Sequence, residues 1–271
     1  MNKRVLSLTL LLACLGLMTM QAEGRKVESF NSGWSFKKAP AEKELAINAP
    51  KWDKGWSEVE IPHTWNAKDM QVQANSFYEG AAYYKKQYFF PAELKDKRVF
   101  LRFEGVGSCA EVFVNGMLAT SHKGGYSAFA CEISPLLKAG EENEIIVKAD
   151  NKSRPDVIPV NHNLFGVYGG IYRPVWLVVT EPYNISVTDC ASPGVYVTQK
   201  NVSKKQADVK VKVKLDNGTL QPVPVTLQNT IYDQEGKQVA THSQSFELSA
   251  QGEQAYESSF TIKKPTFWQG R

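Results

Sequence analysis

The sequence predicts an all-β chain built as two consecutive sandwiches, a jelly-roll-like one followed by an immunoglobulin-like one. Three observations predict it. Helical signatures are nearly absent beyond residue 22. Short alternating or β-branched runs recur at sandwich spacing, each bounded by turn residues. Glu181-Pro182-Tyr183 then punctuates the series and divides a segment 23–181 from a segment 182–271.

The first 22 residues stand apart. Lys3 and Arg4 precede an apolar run from Val5 to Met20, and Met20-Gln21-Ala22 offers a cleavage site before Glu23. This is the pattern of a signal peptide, so the expected mature chain is exported, periplasmic or secreted. As a membrane anchor the run is short and its downstream flank is polar. Leu11-Leu12-Ala13-Cys14 could serve as a lipoprotein site, but the apolar run continues past Cys14, which favours cleavage after Ala22.

In the first segment Tyr83–Phe90, Arg98–Glu104, Ala110–Val114, Ser127–Ile133 and Glu144–Asp150 read as strands. Asn115-Gly116, between AEVFV and MLATSH, is a type I′ hairpin signal. Ser134 to Gly140 reads as a short turn before the sheet resumes. In the second segment Ile185–Cys190, Gly194–Thr198, Ala207–Leu215, Val223–Tyr232, Gln238–Leu248 and Tyr256–Ile262 read as strands, with Asp216-Asn217-Gly218 and Asp233 to Gly236 as turns. Six short strands fit an immunoglobulin-like sandwich, although no cysteine–tryptophan–cysteine signature accompanies them. A closing strand is still expected where the sequence reaches Arg271, so this sandwich reads as truncated.

Composition narrows the function. Without Lys3 and Arg4 the formal charge of +4 falls to about +2, which suggests neither nucleic acid nor an anionic membrane as partner. The alternating Lys210, Lys212 and Lys214 read as a solvated strand face. Beyond the signal there are Cys109, Cys131 and Cys190, an odd count without C-x-x-C spacing. That is neither a disulfide scaffold nor a zinc site. Buried small side chains are the expectation, with a Cys109–Cys131 bridge as the alternative.

No catalytic constellation is visible. Gly105-Val106-Gly107-Ser108-Cys109-Ala110 matches a dinucleotide fingerprint, but EVFVNG follows it, a strand and turn where the fingerprint needs a helix. His63, His122, His162 and His242 lie in separate segments without ligand spacing, so no metal and no cofactor is called for. His63, between Pro62 and Trp65, reads as a histidine hydrogen-bonded inside the sandwich. Trp34 and Trp65 read as core, whereas Trp52 and Trp56, in the polar KWDKGWSE, read as exposed and as better platforms for a sugar ring. The acids lie in charged turns or on alternating strands, and none forms a credible pair for glycoside chemistry.

Most informative is Phe165 to Leu177, FGVYGGIYRPVWL. Glycine at that density marks backbone needing positive φ or close approach. Arg173 must face solvent or find a carboxylate, and a buried pair is favoured. Three further motifs precede it in order: Ile61-Pro62-His63-Thr64-Trp65-Asn66, then Tyr78-Glu79-Gly80 with Tyr83-Tyr84-Lys85-Lys86, then Arg98 to Ser134 with its Gly124-Gly125-Tyr126 loop. Together they resemble the N-terminal part of glycoside hydrolase family 2, the β-galactosidase and β-glucuronidase group.

The resemblance covers nearly all of the mature chain and implies a galactose-binding-like jelly roll and an immunoglobulin-like domain, without the family's catalytic barrel. It implies that both catalytic carboxyl groups lie in that barrel, so no catalytic residue is assigned here. It also implies a sugar contact shortly before the Gly169–Arg173 motif, where the family often carries an aspartate. The matching position is Asn163, with His162 and Asn161 as neighbouring polar contacts. Asparagine keeps two-way hydrogen bonding but loses the charge. The expected partners are a terminal β-glycoside and the barrel itself. A free-standing carbohydrate-binding or scaffold module is the alternative, and an adhesin-type protein fits the architecture but not the ordered motifs.

Overall fold

A computed structural model describes residues 24–39, 54–69, 77–160, 162 and 166–267. Among these the chain is all-β, as the alternating runs require, and its only helical pieces are short 3₁₀ turns. Ten strands build the first sandwich: β1 (Lys26–Ser29), β2 (Trp34–Lys38), β3 (Ser57–Val59), β4 (Ala81–Phe90), β5 (Arg98–Phe103), β6 (Cys109–Val114), β7 (Met117–Lys123), β8 (Phe129–Glu132), β9 (Glu141–Asp150) and β10 (Val175–Thr180). One sheet runs β1-β10-β5-β8, the other β3-β2-β4-β9-β6-β7. Sequence neighbours are repeatedly separated in space, as jelly-roll connections demand.

The backbone of the larger sheet is β4 against β9, paired over ten positions from Ala81↔Asp150 to Phe90↔Glu141. Inward residues of both sheets, including Trp34, Tyr84, Val99, Leu101, Phe103, Val112, Ile145 and Val147, close a single core. The β6–β7 hairpin turns at Asn115 and Gly116 with φ of 51° and 79°, the doubly positive geometry of a type I′ turn. Asn115 also ties the turn down: its Nδ2 donates to Leu136 O and Asn143 Oδ1, both at 2.8 Å.

Six strands build the second sandwich: β11 (Tyr183–Ile185), β12 (Val195–Lys200), β13 (Gln206–Asn217), β14 (Val223–Tyr232), β15 (Gln238–Leu248) and β16 (Gly252–Lys263). β13 carries β11 and β12 along one edge and β16 along the other, and β14 pairs with β15 as a separate sheet. Val209, Val211, Val213 and Leu215 face the core between the two layers, and the alternate lysines face out. Lys210 pairs with Glu257 at 2.5 Å, and Lys214 bridges Asp189 and Glu253 at 3.0 and 2.7 Å.

The run read as a strand over Ile185–Cys190 is shorter than expected. It stops at Ile185, and the chain turns through Ser186 to Ala191, with Cys190 and Ala191 both at φ 51°. The turn delivers Ala191 O to the Arg102 guanidinium, whose Nε donates to it at 3.0 Å. A tertiary contact therefore overrides local strand propensity here.

Arg98 joins the two sandwiches. Its Nε and Nη2 donate to the Glu132 carboxylate at 3.0 and 2.6 Å, and its Nη1 to Asp216 Oδ2 at 2.8 Å. The Arg98 side chain is only 13% exposed. Gly218 follows in the turn after β13, where an added Cβ would sit 3.1 Å from Arg98 Cδ. Phe100, Val178 and Val187 form an apolar cluster beside this ion pair.

The three described cysteines are free. Cys131 is buried as expected, and burial pushes its thiol up to about 12. Cys109 is half-buried and also raised, chiefly by burial. Cys190 is exposed, against the expectation of a buried side chain, because the turn carries it outward.

Two outcomes follow. Arg98→Ala leaves two acids facing each other in a poorly hydrated seam, and should cost about 3 kcal/mol in urea unfolding at neutral pH. A conserved midpoint would show that the seam contributes nothing to stability. In thiol titration at pH 8 with an aromatic disulfide, Cys190 should react first, and Cys131 only after unfolding.

Candidate functional site

The glycine-rich run sits where three distant segments meet, and steric contact explains its composition. A Cβ on Gly169 would lie 1.9 Å from Trp65 Cζ2. Gly170 has φ +117°, and a Cβ there would lie 2.5 Å from Tyr84 Oη and 2.6 Å from His63 O. A Cβ on Gly107 would meet Tyr168 O at 2.3 Å. Gly107 and Gly170 bridge one another through paired backbone hydrogen bonds of 3.0 and 3.4 Å. The motifs at 61–66, 104–107 and 168–173 are thus one interlocked surface, and only hydrogen fits at its contacts.

Beneath that surface lies a polar knot. Asn66 and Asn151 are fully buried. Asn66 Oδ1 accepts from Gly169 N at 2.8 Å and from Asn151 Nδ2 at 3.2 Å. Asn66 Nδ2 donates to Asp69 Oδ2 at 2.8 Å and to Tyr78 O at 3.1 Å. Asn151 Nδ2 donates to Val167 O at 2.8 Å, and its Oδ1 accepts from Gly80 N at 3.0 Å. Both amides spend donors and acceptors on backbone, and the one carboxylate in the knot, Asp69, sits at its half-buried edge.

His63 and Tyr84 complete the floor. His63 Nδ1 lies 2.8 Å from Tyr84 Oη, and the Phe36 and Trp65 rings pack alongside. Burial, helped by nearby Lys38, lowers the His63 pKa, and burial raises Tyr84 well above its ordinary value. Both are neutral near pH 7 and serve structure, as expected for His63.

The rim differs in character. His162 Nδ1 meets Glu79 Oε1 at 2.7 Å, linking the loop to the Tyr78–Gly80 segment. Tyr168 and Tyr126 are exposed, as are Ile158 and Val160. Gly124 to Ser127 and Asp156 to Ile158 bound an open hollow of about 500 Å³, beside the Lys123–Asp156 pair at 2.5 Å. The Tyr172 hydroxyl donates to Gly125 O and ties the glycine–tyrosine loop to the main motif. Exposed rings beside polar pairs can bind an amphipathic ligand. Among the described residues no cluster of three or more His, Cys, Asp or Glu side chains could hold a metal.

Asn161 and Asn163, two of the three residues the sequence points to, lie outside the described residues, as does Trp52. His162 is described, and its ring is engaged by Glu79. Two expectations are corrected. Arg173 is exposed, with its guanidinium 5.6 Å from the Tyr172 ring centroid, and among the described residues it has no carboxylate partner. Its side chain faces solvent, so no buried pair forms. Trp56 is half-buried against Tyr83 and Ile146, with Lys85 and Lys37 ammonium groups 4.6 and 5.9 Å from its centroid. Those cations occupy the ring face that a sugar would need. Asn66 and Glu79 fall within sequence motifs, whereas no local pattern marks Asn151 as a hub.

The comparisons bear on the same segments. Residues 27–182 match the model of the glycosyl hydrolases family 2 sugar binding domain, and residues 193–270 match a second glycosyl hydrolases family 2 model. The chain belongs to glycosyl hydrolase family 2. A β-glucuronidase of Bacteroides fragilis is 39% identical over 216 residues, covering 78% of this chain and 30% of that relative. A β-galactosidase of Bacteroides ovatus is 29% identical over 252 residues, covering 90% of this chain and 28% of its own. Among solved structures, a Bacteroides fragilis protein provisionally described as a β-galactosidase superposes with a TM-score of 0.87 at 70% identity, covering 91% of this chain and 37% of that one. The Bacteroides uniformis β-glucuronidase gives 0.83 at 28% identity, with 90% and 28% coverage. The chain therefore spans about a third of the length of these family 2 relatives.

Two substitutions test the knot. Asn151→Ala orphans Gly80 N and Val167 O, and should lower stability by about 1–3 kcal/mol. Gly169→Ala forces Trp65 aside and should cost about 1–3 kcal/mol by overpacking, with a shift in tryptophan emission. If either variant melts with the parent, the contact it removes is not holding the loop.

Proposed function

We propose that this chain is the non-catalytic N-terminal portion of an exported family 2 glycosidase, β-galactosidase-like, acting on terminal β-linked sugars in carbohydrate breakdown. The observation that carries this reading is the interlock itself. Segments far apart in sequence converge to hold Val167–Gly170, the end of the Asn161–Tyr168 stretch, from beneath. A rigidly held base preceded by the polar sequence Asn161-His162-Asn163 suits the placement of hydrogen bonds at a pocket rim.

In this reading the loop helps to shape the sugar pocket. Asn163 presents both donor and acceptor to a sugar hydroxyl, with Asn161 and His162 beside it. Retaining hydrolysis needs two carboxyl groups about 5 Å apart, one as nucleophile and one as acid. Those groups belong to the catalytic barrel, which is the chain's principal partner. The exposed Tyr126, Tyr168 and Ile158 lie at the end of the sandwich that carries the loop, and favour contact there over a fully solvated surface. Residues 1–22 direct the protein out of the cytoplasm.

The test uses the chain alone and joined to its catalytic part. With nitrophenyl β-galactoside, β-glucuronide and β-mannoside, the chain alone should give no turnover above blank. In the joined enzyme, Asn163→Ala should lower kcat/KM by the equivalent of about 1–3 kcal/mol with the melting temperature unchanged. Full catalytic efficiency in that variant would remove Asn163 from the site. Hydrolysis by the chain alone, lost on mutating one of its own acids, would overturn the reading.

A further inference from the structure

Glu79 sits on a short piece of chain that is anchored on both sides. Tyr78 O accepts from Asn66 Nδ2 at 3.1 Å and from Trp65 Nε1 and Asn151 Nδ2 at 3.3 Å each. Tyr78 N donates to Asp69 Oδ2 at 3.2 Å, and Gly80 N donates to Asn151 Oδ1 at 3.0 Å. The same Asn151 amide holds Val167 O at 2.8 Å. The segment carrying Glu79 and the end of the Asn161–Tyr168 stretch therefore share one support. From the first, the Glu79 carboxylate reaches across to His162 in the second.

This pair has a chemical consequence. An ionised carboxylate can only accept, so against it His162 Nδ1, 2.7 Å from Glu79 Oε1, must carry the proton. Nε2 is left as the ring's other polar atom, and nothing among the described residues engages it. The His162 side chain is only 9% exposed and Glu79 31%, so the ring is held in a largely dry setting, unlike a solvated surface pair. The other histidines are spent differently. His63 Nδ1 meets the Tyr84 hydroxyl, His122 Nε2 meets Gly124 O and Ser127 Oγ, and His242 Nδ1 is buried without a partner. Among the described residues, His162 alone has its ring oriented by a carboxylate.

We propose that Glu79 is a positioning residue for sugar binding: it fixes the tautomer and the plane of the His162 ring, so that Nε2 meets a hydroxyl of the sugar. The inference rests on the reading of the Asn161–Tyr168 stretch as a wall of the sugar pocket, and adds the residue that sets its geometry. A hydroxyl suits Nε2 in either state of the ring, donating to the neutral form and accepting from the cation. Glu79 touches no substrate itself. It decides which ring nitrogen is offered, as carboxylates do behind histidines that ligate metals. Without it the ring is free to turn, and binding must then bear the cost of ordering it.

Two measurements test this. In this chain, with its histidines labelled with ¹⁵N and at mildly alkaline pH, the His162 ring should show the Nδ1-protonated pattern. Glu79→Gln should retain that pattern, because its Oε1 still accepts, and Glu79→Ala should lose it, both with parent-like melting points. In the chain joined to its catalytic part, Glu79→Ala should lower kcat/KM about tenfold on the nitrophenyl β-glycoside it cleaves fastest, and Glu79→Gln less than about threefold. In a His162→Ala background, Glu79→Ala should cost nothing further, because Glu79 acts through that ring. Equal losses with and without His162 would overturn the proposal, as would an Nε2-protonated ring in the parent chain. Parent-like efficiency of Glu79→Ala beside an impaired Asn163→Ala would overturn the role of Glu79 alone. Parent-like efficiency of both would remove the stretch from the pocket, and the proposal with it.

Discussion

Everything at the functional end of this molecule depends on the Asn66–Asn151 amide pair. A loop rich in glycine has little intrinsic shape, since it surrenders more backbone entropy on ordering than any other composition. Here that entropy is offset from below. Two buried amides satisfy Gly169 N, Val167 O, Gly80 N and Tyr78 O, groups that would otherwise be orphaned away from water. The choice of asparagine follows from the need for donors and acceptors on one side chain without a buried charge. The glycines are then obligatory, because Trp65, Tyr84 and Tyr168 O leave no space for a Cβ.

The second sandwich is attached through a different kind of contact. Arg98 stands at the start of β5, yet its three shortest hydrogen bonds reach one acid in its own sandwich and one in the other. A planar guanidinium can serve both at once, which an ammonium on a flexible stem would do less well. The apolar cluster of Phe100, Val178 and Val187 excludes water from one side of the pair. Arg98 thus holds the two halves together beside a small apolar seam, with Arg102 adding a second contact to Ala191 O.

The rim above the knot combines features that suit a ligand with both polar and apolar faces. Exposed tyrosines and aliphatics lie beside the Lys123–Asp156 and His162–Glu79 pairs. Beneath them, burial lowers the His63 pKa and raises that of Tyr84, which keeps the pair uncharged. In a family 2 enzyme, bond cleavage falls to a pair of carboxyl groups.

The sequence by itself determined the class and the order of the fold. Period-two alternation along β6 and β13 could satisfy only strands with one buried face, and Asn115-Gly116 could form only a turn with two positive φ values. The family motifs were legible too, because close backbone approach leaves glycine as its trace. Contacts across long sequence gaps were not legible. Arg98 and Asp216 are 118 residues apart, and Asn66 and Gly169 are 103 apart, with no local pattern announcing either pair. For the same reason Arg173 and Trp56 read wrongly from sequence: whether a side chain meets solvent, an acid or a lysine is set by which strands become neighbours. Local propensity writes the strands into the chain, but partners are chosen only when the sheets close and each buried polar group must find another within reach.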